Sequence, residues 1–318
     1  GGGAATGNSV TMTGSTTINS ASITNVVGGH TNAGTANGNK IEIKSDFTST
    51  GGKTVIYVGH ADRGEASGNK ITIDEGATVK AYGIDGGNSG GSTADVVSQA
   101  NQNQVIIGGT VEVGLNVIGG SAAGSSTKSG TTANGNKVEV TATGSVKGDI
   151  RGGYNVYGSA DSNIVDVAGT ITGTLYGGYS NNLGGGIGNA NNNKVTVSGT
   201  VNSPASSVKE ISGGYSLMGS ALRNELEITG TVNVNTYGGK AGYVGGNSGN
   251  ASENTISISS SGSIVGNVFG GSAAEGSTDN NTVQIKDSGT VRGSVYGGWT
   301  PSTTGSASGN TVELDTDK

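Results

Sequence analysis

The chain has 318 residues, of which 63 are glycine and only 2 are proline, with a single tryptophan and no cysteine. That much glycine excludes a conventional helical or α/β enzyme core, since each helix-interior glycine costs roughly 0.5–1 kcal/mol relative to alanine, and the lack of cysteine excludes a disulfide framework or thiolate metal site. A formal charge of −6 with 13% charged residues excludes the basic stripe that nucleic-acid binding needs. No stretch approaches the ~20 consecutive apolar residues of a membrane-spanning helix, so this segment is expected neither to bind nucleic acid nor to insert in a membrane.

In chain order, one motif recurs: Asn, any residue, aliphatic, any residue, aliphatic. It begins at Asn8, Asn39, Asn69, Asn103, Asn136, Asn163, Asn193, Asn224, Asn254, Asn281 and Asn310, eleven copies enclosing ten repeats of about 30 residues. The apolar/polar alternation is the period-2 signature of a half-buried strand. Alanine stands three residues before the asparagine in ten of the eleven copies, Thr278 being the exception, which suits a tight corner where successive coils pass close together.

A second short strand follows in each repeat, of the form Gly-Thr/Ser-Val/Ile, clear at Gly109-Thr110-Val111 and Gly199-Thr200-Val201. A third is typified by Leu175-Tyr176-Gly177-Gly178-Tyr179 and Val295-Tyr296-Gly297-Gly298-Trp299. The Gly-Gly pair occurs in nine of ten repeats and reads as a corner. The segment between that pair and the next asparagine ranges from 9 residues after Gly29 or Gly271 to 15 after Gly87 or Gly120, insertions of the kind a stacked solenoid tolerates. Three strands in about 30 residues exclude a propeller blade, which takes about 40–50 residues and four strands.

The expected fold is therefore all-β: a single-stranded parallel β-helix of about ten coils, each with three short strands. Residues 1–318 form one continuous array, read as a fragment of a longer protein with uncapped ends. Strands stacked at ~4.8 Å per coil make a rod about 50 Å long. Its core is a thin set of aliphatic columns such as Val195, Val197, Val201 and Leu175, so nearest-neighbour stacking should supply most of the stability.

The repeated Asn-x-Val-x-Val, Gly-Thr-Val and Val-Tyr-Gly-Gly-Tyr/Ser elements resemble the passenger regions of bacterial autotransporter (type V secreted) adhesins. The resemblance covers essentially the whole chain. It implies a right-handed β-helix, exported to the surface of a Gram-negative cell and anchored in the outer membrane by a β-barrel outside this segment.

Among residues that could carry chemistry, the asparagine column reads as a structural ladder of side-chain amides. The Thr/Ser column (Thr78, Thr110, Ser145, Thr170, Thr200, Thr231, Ser263, Thr290) lacks the flat two-wide lattice of an ice-binding face, because residues such as Lys80, Glu112 and Arg292 follow it. His30 and His60, the only histidines, both lie nine residues before an asparagine and should stack one coil apart. That could suit a shared metal ion or a pH-sensitive pair. Tyr154, Tyr179, Tyr215 and Trp299 occupy the same column, so it reads as a ring-ladder position and no metal is expected. Asp62, Glu65, Asp74 and Glu75 could form a carboxylate cluster, but no basic partner or nucleophile motif accompanies them. No cofactor motif is present, and no enzyme activity is expected.

Nine aromatic residues flank the Gly-Gly pairs or their equivalent: Tyr57, Tyr154, Tyr176, Tyr179, Tyr215, Tyr237, Phe269, Tyr296 and Trp299. The residue before several of them (Ile56, Leu175, Val268, Val295) should point inward, which sends Tyr57, Tyr176, Tyr237, Phe269 and Tyr296 outward. An exposed ring stripe stacks on sugars or anchors protein contacts; the competing reading is that the rings shield the glycines. The functional expectation is a non-enzymatic adhesin and stalk that attaches to host or bacterial surface glycans or proteins, or self-associates between cells. A polysaccharide-active β-helix enzyme and a filament protomer stacking end to end are the alternatives.

Overall fold

The computed structural model describes residues 3–19, 22, 24–51, 53–90, 97–124, 130–181, 187–202, 209–242 and 249–315. All regular structure there is β, and every strand pairing is parallel, each strand bonding to its equivalents in the coils before and after it. The chain is a parallel β-solenoid, as the repeat requires.

The asparagine motif builds the first face. It is an eleven-stranded sheet running from Ser9–Met12 through Lys137–Val140 and Lys194–Val197 to Thr311–Leu314. Alternation sets its register: in the strands from Lys40–Ile43 to Thr255–Ile258 the two aliphatic residues are buried while the residue between them is half-exposed, as with Val195 and Val197 around Thr196. The second and third faces are the Gly-Thr-Val strands and the Gly-Gly strands, exemplified by Thr170–Thr172 and Leu175–Ser180. In two coils these run together without a break, over Thr110–Ala123 and Ser145–Asn155. All of them join in one sheet, the second face stacking its Thr/Ser column in register from Thr78 onward. The two-residue strands Gly3–Ala4, Gly34–Thr35 and Gly64–Glu65 make a small extra sheet ahead of the asparagine.

The core is one continuous column of Val, Ile and Leu, including Val165, Val167, Ile171 and Leu175 in a single coil. Beside it runs the asparagine ladder. Each asparagine donates from both its backbone N and Nδ2 to Oδ1 of the next, at 2.8–3.0 Å in the pairs Asn8–Asn39, Asn136–Asn163 and Asn193–Asn224. The inner members are buried, and this mutual pairing satisfies amides that would otherwise cost about 1–3 kcal/mol per orphaned group.

The Gly-Gly pairs are not corners. Gly177 and Gly178 lie inside the strand Leu175–Ser180, and neither has the positive φ of a turn glycine. A Cβ on Gly178 would lie 2.1 Å from Ala160 O and 2.6 Å from Asn193 Nδ2, and one on Gly177 would lie 2.3 Å from Gly213 O. The pair is glycine because the asparagine ladder and the alanine column pack directly onto that strand. The true corner is the residue just before each asparagine, which adopts left-handed φ in all eleven copies, from Gly7 (69°) through Gln102 (58°) and Arg223 (55°) to Gly309 (64°).

Candidate functional site

Two outward columns flank the Gly-Gly strand. The first runs, in register, Val27, Tyr57, Asp85, Ile118, Arg151, Tyr176, Ser212, Tyr237, Phe269, Tyr296. The second runs His30, His60, Asn88, Ser121, Tyr154, Tyr179, Tyr215, Lys240, Ser272, Trp299. The nine aromatic residues expected to form a stripe all lie in these two columns.

Eight of the nine make a ladder of two ring clusters, Tyr154, Tyr176, Tyr179 and Tyr215 in one and Tyr237, Phe269, Tyr296 and Trp299 in the other, bridged by Lys240. Tyr154 and Tyr179 stack at 5.6 Å, Tyr176 and Tyr215 lie 5.5 Å apart, and Tyr237, Phe269 and Tyr296 stack nearly parallel at 4.9 and 5.0 Å, with Trp299 edge-on to Phe269. Two cations are set into it. The Arg151 guanidinium lies 4.7 and 4.6 Å from the Tyr154 and Tyr179 ring centres, and Lys240 Nζ lies 4.9 Å from those of both Tyr215 and Tyr237. Tyr57 stands apart from the ladder, beside His60 at 4.7 Å.

Exposure corrects the expected open stripe. Only Tyr296 and Trp299 are exposed, at 39% and 43%, and Tyr176 is 9% exposed and buried; the other six are half-buried. The Tyr176 hydroxyl donates to Glu210 Oε1 at 2.9 Å, and Lys240 Nζ reaches Glu210 Oε2 at 2.7 Å. Burial and the adjacent Glu210 carboxylate push the Tyr176 phenol far above its usual range. Most of the ladder therefore satisfies itself and shields the glycine strand.

Two consecutive coils lack a ring in both columns. Asp85 and Ile118 replace rings in the first column, Asn88 and Ser121 in the second, so between Tyr57 and Tyr154 the surface sinks into a notch of about 290 Å³. Three coil steps separate these two tyrosines, about 14 Å. Gly83, Asp85, Asn88 and Ser121 line the notch, Tyr57 lies towards one end, and Arg151 and Tyr154 lie towards the other. The Asp85 carboxylate accepts from Gly87 N at 3.2 Å and Asn88 Nδ2 at 3.1 Å. Burial nevertheless pushes its pKa up to about 8, so at neutral pH it is mostly a neutral acid. Burial beside Asp85 also lifts Tyr57 to about 12. Arg151 has no ion-pair partner among the described residues, and its Nε is buried without a hydrogen bond. The notch therefore offers two rings, neutral hydrogen-bonding groups and one unpaired cation. The signal for it lay in the columns themselves: the same two consecutive coils filled by Asp85 and Ile118 in one column and by Asn88 and Ser121 in the other.

The histidine column holds a second group. His30 and His60 pair in register with ring centres 5.1 Å apart, as their spacing requires. Asp62, whose role beside them the sequence reading missed, accepts from both: Oδ1 is 3.4 Å from His30 Nε2 and 2.9 Å from His60 Nε2. The spacing His60-x-Asp62 at a strand end puts both side chains on one side, and that was the available signal. Burial lowers the His60 pKa despite the bond to Asp62. Slight desolvation raises Asp62, but hydrogen bonds from both histidines outweigh it and leave its pKa lowered.

The remaining carboxylates do not assemble. Glu65 lies in the short strand that pairs with Thr35, whereas Asp74 and Glu75 follow the first-face strand Lys70–Ile73 at a different corner. No family model, no curated protein and no solved structure matches the chain.

Proposed function

We propose that this chain is a non-enzymatic adhesive rod that binds carbohydrate at the notch between Tyr57 and Tyr154. The observation that carries the reading is that these two consecutive coils, alone among the ten, lack a ring in both columns. A ladder serving only to shield the glycine strand has no reason to lack rings in both columns of two adjacent coils and leave an unpaired Arg151 lining the space. Rings at the ends stack on sugar faces. Neutral Asp85, Asn88 and Ser121 match hydroxyls, and Arg151 favours a sugar bearing a carboxylate, which it can engage bidentately.

Hydrolysis is disfavoured by the same inventory. Paired-carboxylate mechanisms need two such groups at ~5–9.5 Å, and the notch lining contains one, Asp85. The repeat pattern and the solenoid support placing the rod on a bacterial surface as an autotransporter passenger, with host or bacterial surface glycans as partners.

The test is a glycan array carrying neutral and acidic sugars, read with the purified rod and two variants. Ser121→Tyr extends the Tyr154–Tyr179–Tyr215 column by one coil, so it should fold and fill the notch. Arg151→Ala removes the cation. Expected results are binding by the wild type, at least tenfold weaker binding by Ser121→Tyr, and selective loss of acidic glycans by Arg151→Ala. Equal binding by wild type and Ser121→Tyr, or no wild-type binding to any sugar, would remove the proposal.

A further inference from the structure

We propose that His30, His60 and Asp62 form a binding site for a divalent transition-metal ion, of the Zn²⁺, Ni²⁺ or Cu²⁺ type, that clamps two successive coils together. The coil register brings His30 and His60 to equivalent positions on adjacent coils, and Asp62 caps them from the end of the second coil's strand. Both Nε2 atoms point at one carboxylate oxygen, at 3.4 and 2.9 Å, and the three donor atoms all lie within 4.8 Å of one another.

Metal–ligand bonds of about 2.0–2.2 Å in a tetrahedron separate the donors by about 3.3 Å. The two nitrogen–oxygen separations lie close to that figure, and the two ring nitrogens, which like all three donors lie within 4.8 Å, draw together when the exposed His30 side chain turns inward to complete the set. Two imidazoles and one carboxylate suit borderline transition metals, whereas Ca²⁺ and Mg²⁺ call for oxygen ligands alone. Access is open, with side-chain exposures of 46% for His30, 19% for His60 and 48% for Asp62, and the remaining coordination positions fall to water.

A second observation points the same way. His60 Nδ1 is buried with no hydrogen-bond partner, and its neighbour in register is Asn88, whose Nδ2 is already committed to Asp85. Asn88 stands close enough to the His60 ring to favour its protonated form, and an amide oxygen turned to Nδ1 is the kind of outer contact that would orient a ligating imidazole with Nε2 towards the ion. The ring-ladder role of this column accounts for the histidines' stacking but not for the convergence of both Nε2 atoms on a third residue.

The chain's only two histidines are these, so a tag-free, chelator-stripped preparation gives a clean titration. Calorimetry with Zn²⁺ should show one ion per chain. His30→Asn and Asp62→Asn, both at exposed positions, should each weaken binding at least tenfold. Because the ion bridges two coils of the folded state, Zn²⁺ should also raise the wild-type melting temperature and leave that of the double variant unmoved. Zn²⁺ binding of equal strength in wild type and double variant, or no binding by the wild type, would overturn the assignment. Ca²⁺ binding as tightly as Zn²⁺ would overturn it equally.

Discussion

The residue before each ladder asparagine carries the sharpest backbone constraint in the coil. It is left-handed in every copy, yet it is glycine in only five, at 7, 38, 68, 135 and 309, and otherwise Gln102, Ser162, Asn192, Arg223, Glu253 or Asn280. Fewer than half of the copies are glycine and the others are of five residue types, so the position does not stand out as a glycine column. A left-handed non-glycine residue costs roughly 1–2 kcal/mol, and glycine gives back about 0.5–1 kcal/mol through unfolded-state entropy. Gln102 is exposed, so Gln102→Gly should stabilise the rod by roughly 0.5–1 kcal/mol, read as a higher urea midpoint at unchanged slope. A lower midpoint would contradict the corner assignment.

Asp85 makes a second prediction at this scale. Its pKa of about 8 lies above the unfolded value of 3.8, so between those pH values the folded chain holds a proton that the unfolded chain has lost. The sign follows from linkage: this group's contribution is fully present below about pH 4, falls as pH rises by up to about 1.4 kcal/mol per unit, and levels off above about pH 8. Asp85→Asn lacks the titration. Its stability relative to wild type should therefore increase between pH 5 and pH 8, measured by urea unfolding at both. A wild-type-to-variant difference that stays constant would show that Asp85 titrates normally.

At the scale of the strand, the aliphatic alternation, the alanine column and the asparagine ladder were legible because each depends on one residue type repeated in register. The Gly-Gly strand was legible as a pattern but not as a cause. Glycine at a turn and glycine beneath a packed amide look the same in a sequence, and only the approach of Asn193 to Gly178 separates them. The outward direction of the aromatic column was likewise readable from alternation, whereas exposure was not. Tyr176 and Tyr296 share a column, but Tyr176 has Glu210, Tyr179 and Tyr215 around it and is buried, while Tyr296 stacks on Phe269 and stays exposed. Exposure here depends on side chains from neighbouring coils, which a repeat averaged over ten copies conceals. The notch is the converse case: it exists because two coils depart from the average.

Across the whole molecule, energy is arranged along one axis, since each coil bonds to the coils on either side and the asparagine ladder runs through all of them. Stability of that kind is a sum of coil terms and neighbour terms, so damage should stay local. Asn163→Ala is the direct probe. It removes the acceptor for Asn136 N and Nδ2 and the donor to Asn193, and each orphaned buried group costs about 1–3 kcal/mol. In hydrogen exchange, amide protection should fall in the strands Lys137–Val140, Ile164–Val167 and Lys194–Val197. Protection in Lys40–Ile43 and Thr282–Ile285 should be kept, because several intact coil interfaces separate them from the lesion. A uniform loss over all five strands would instead mark the rod as one cooperative unit.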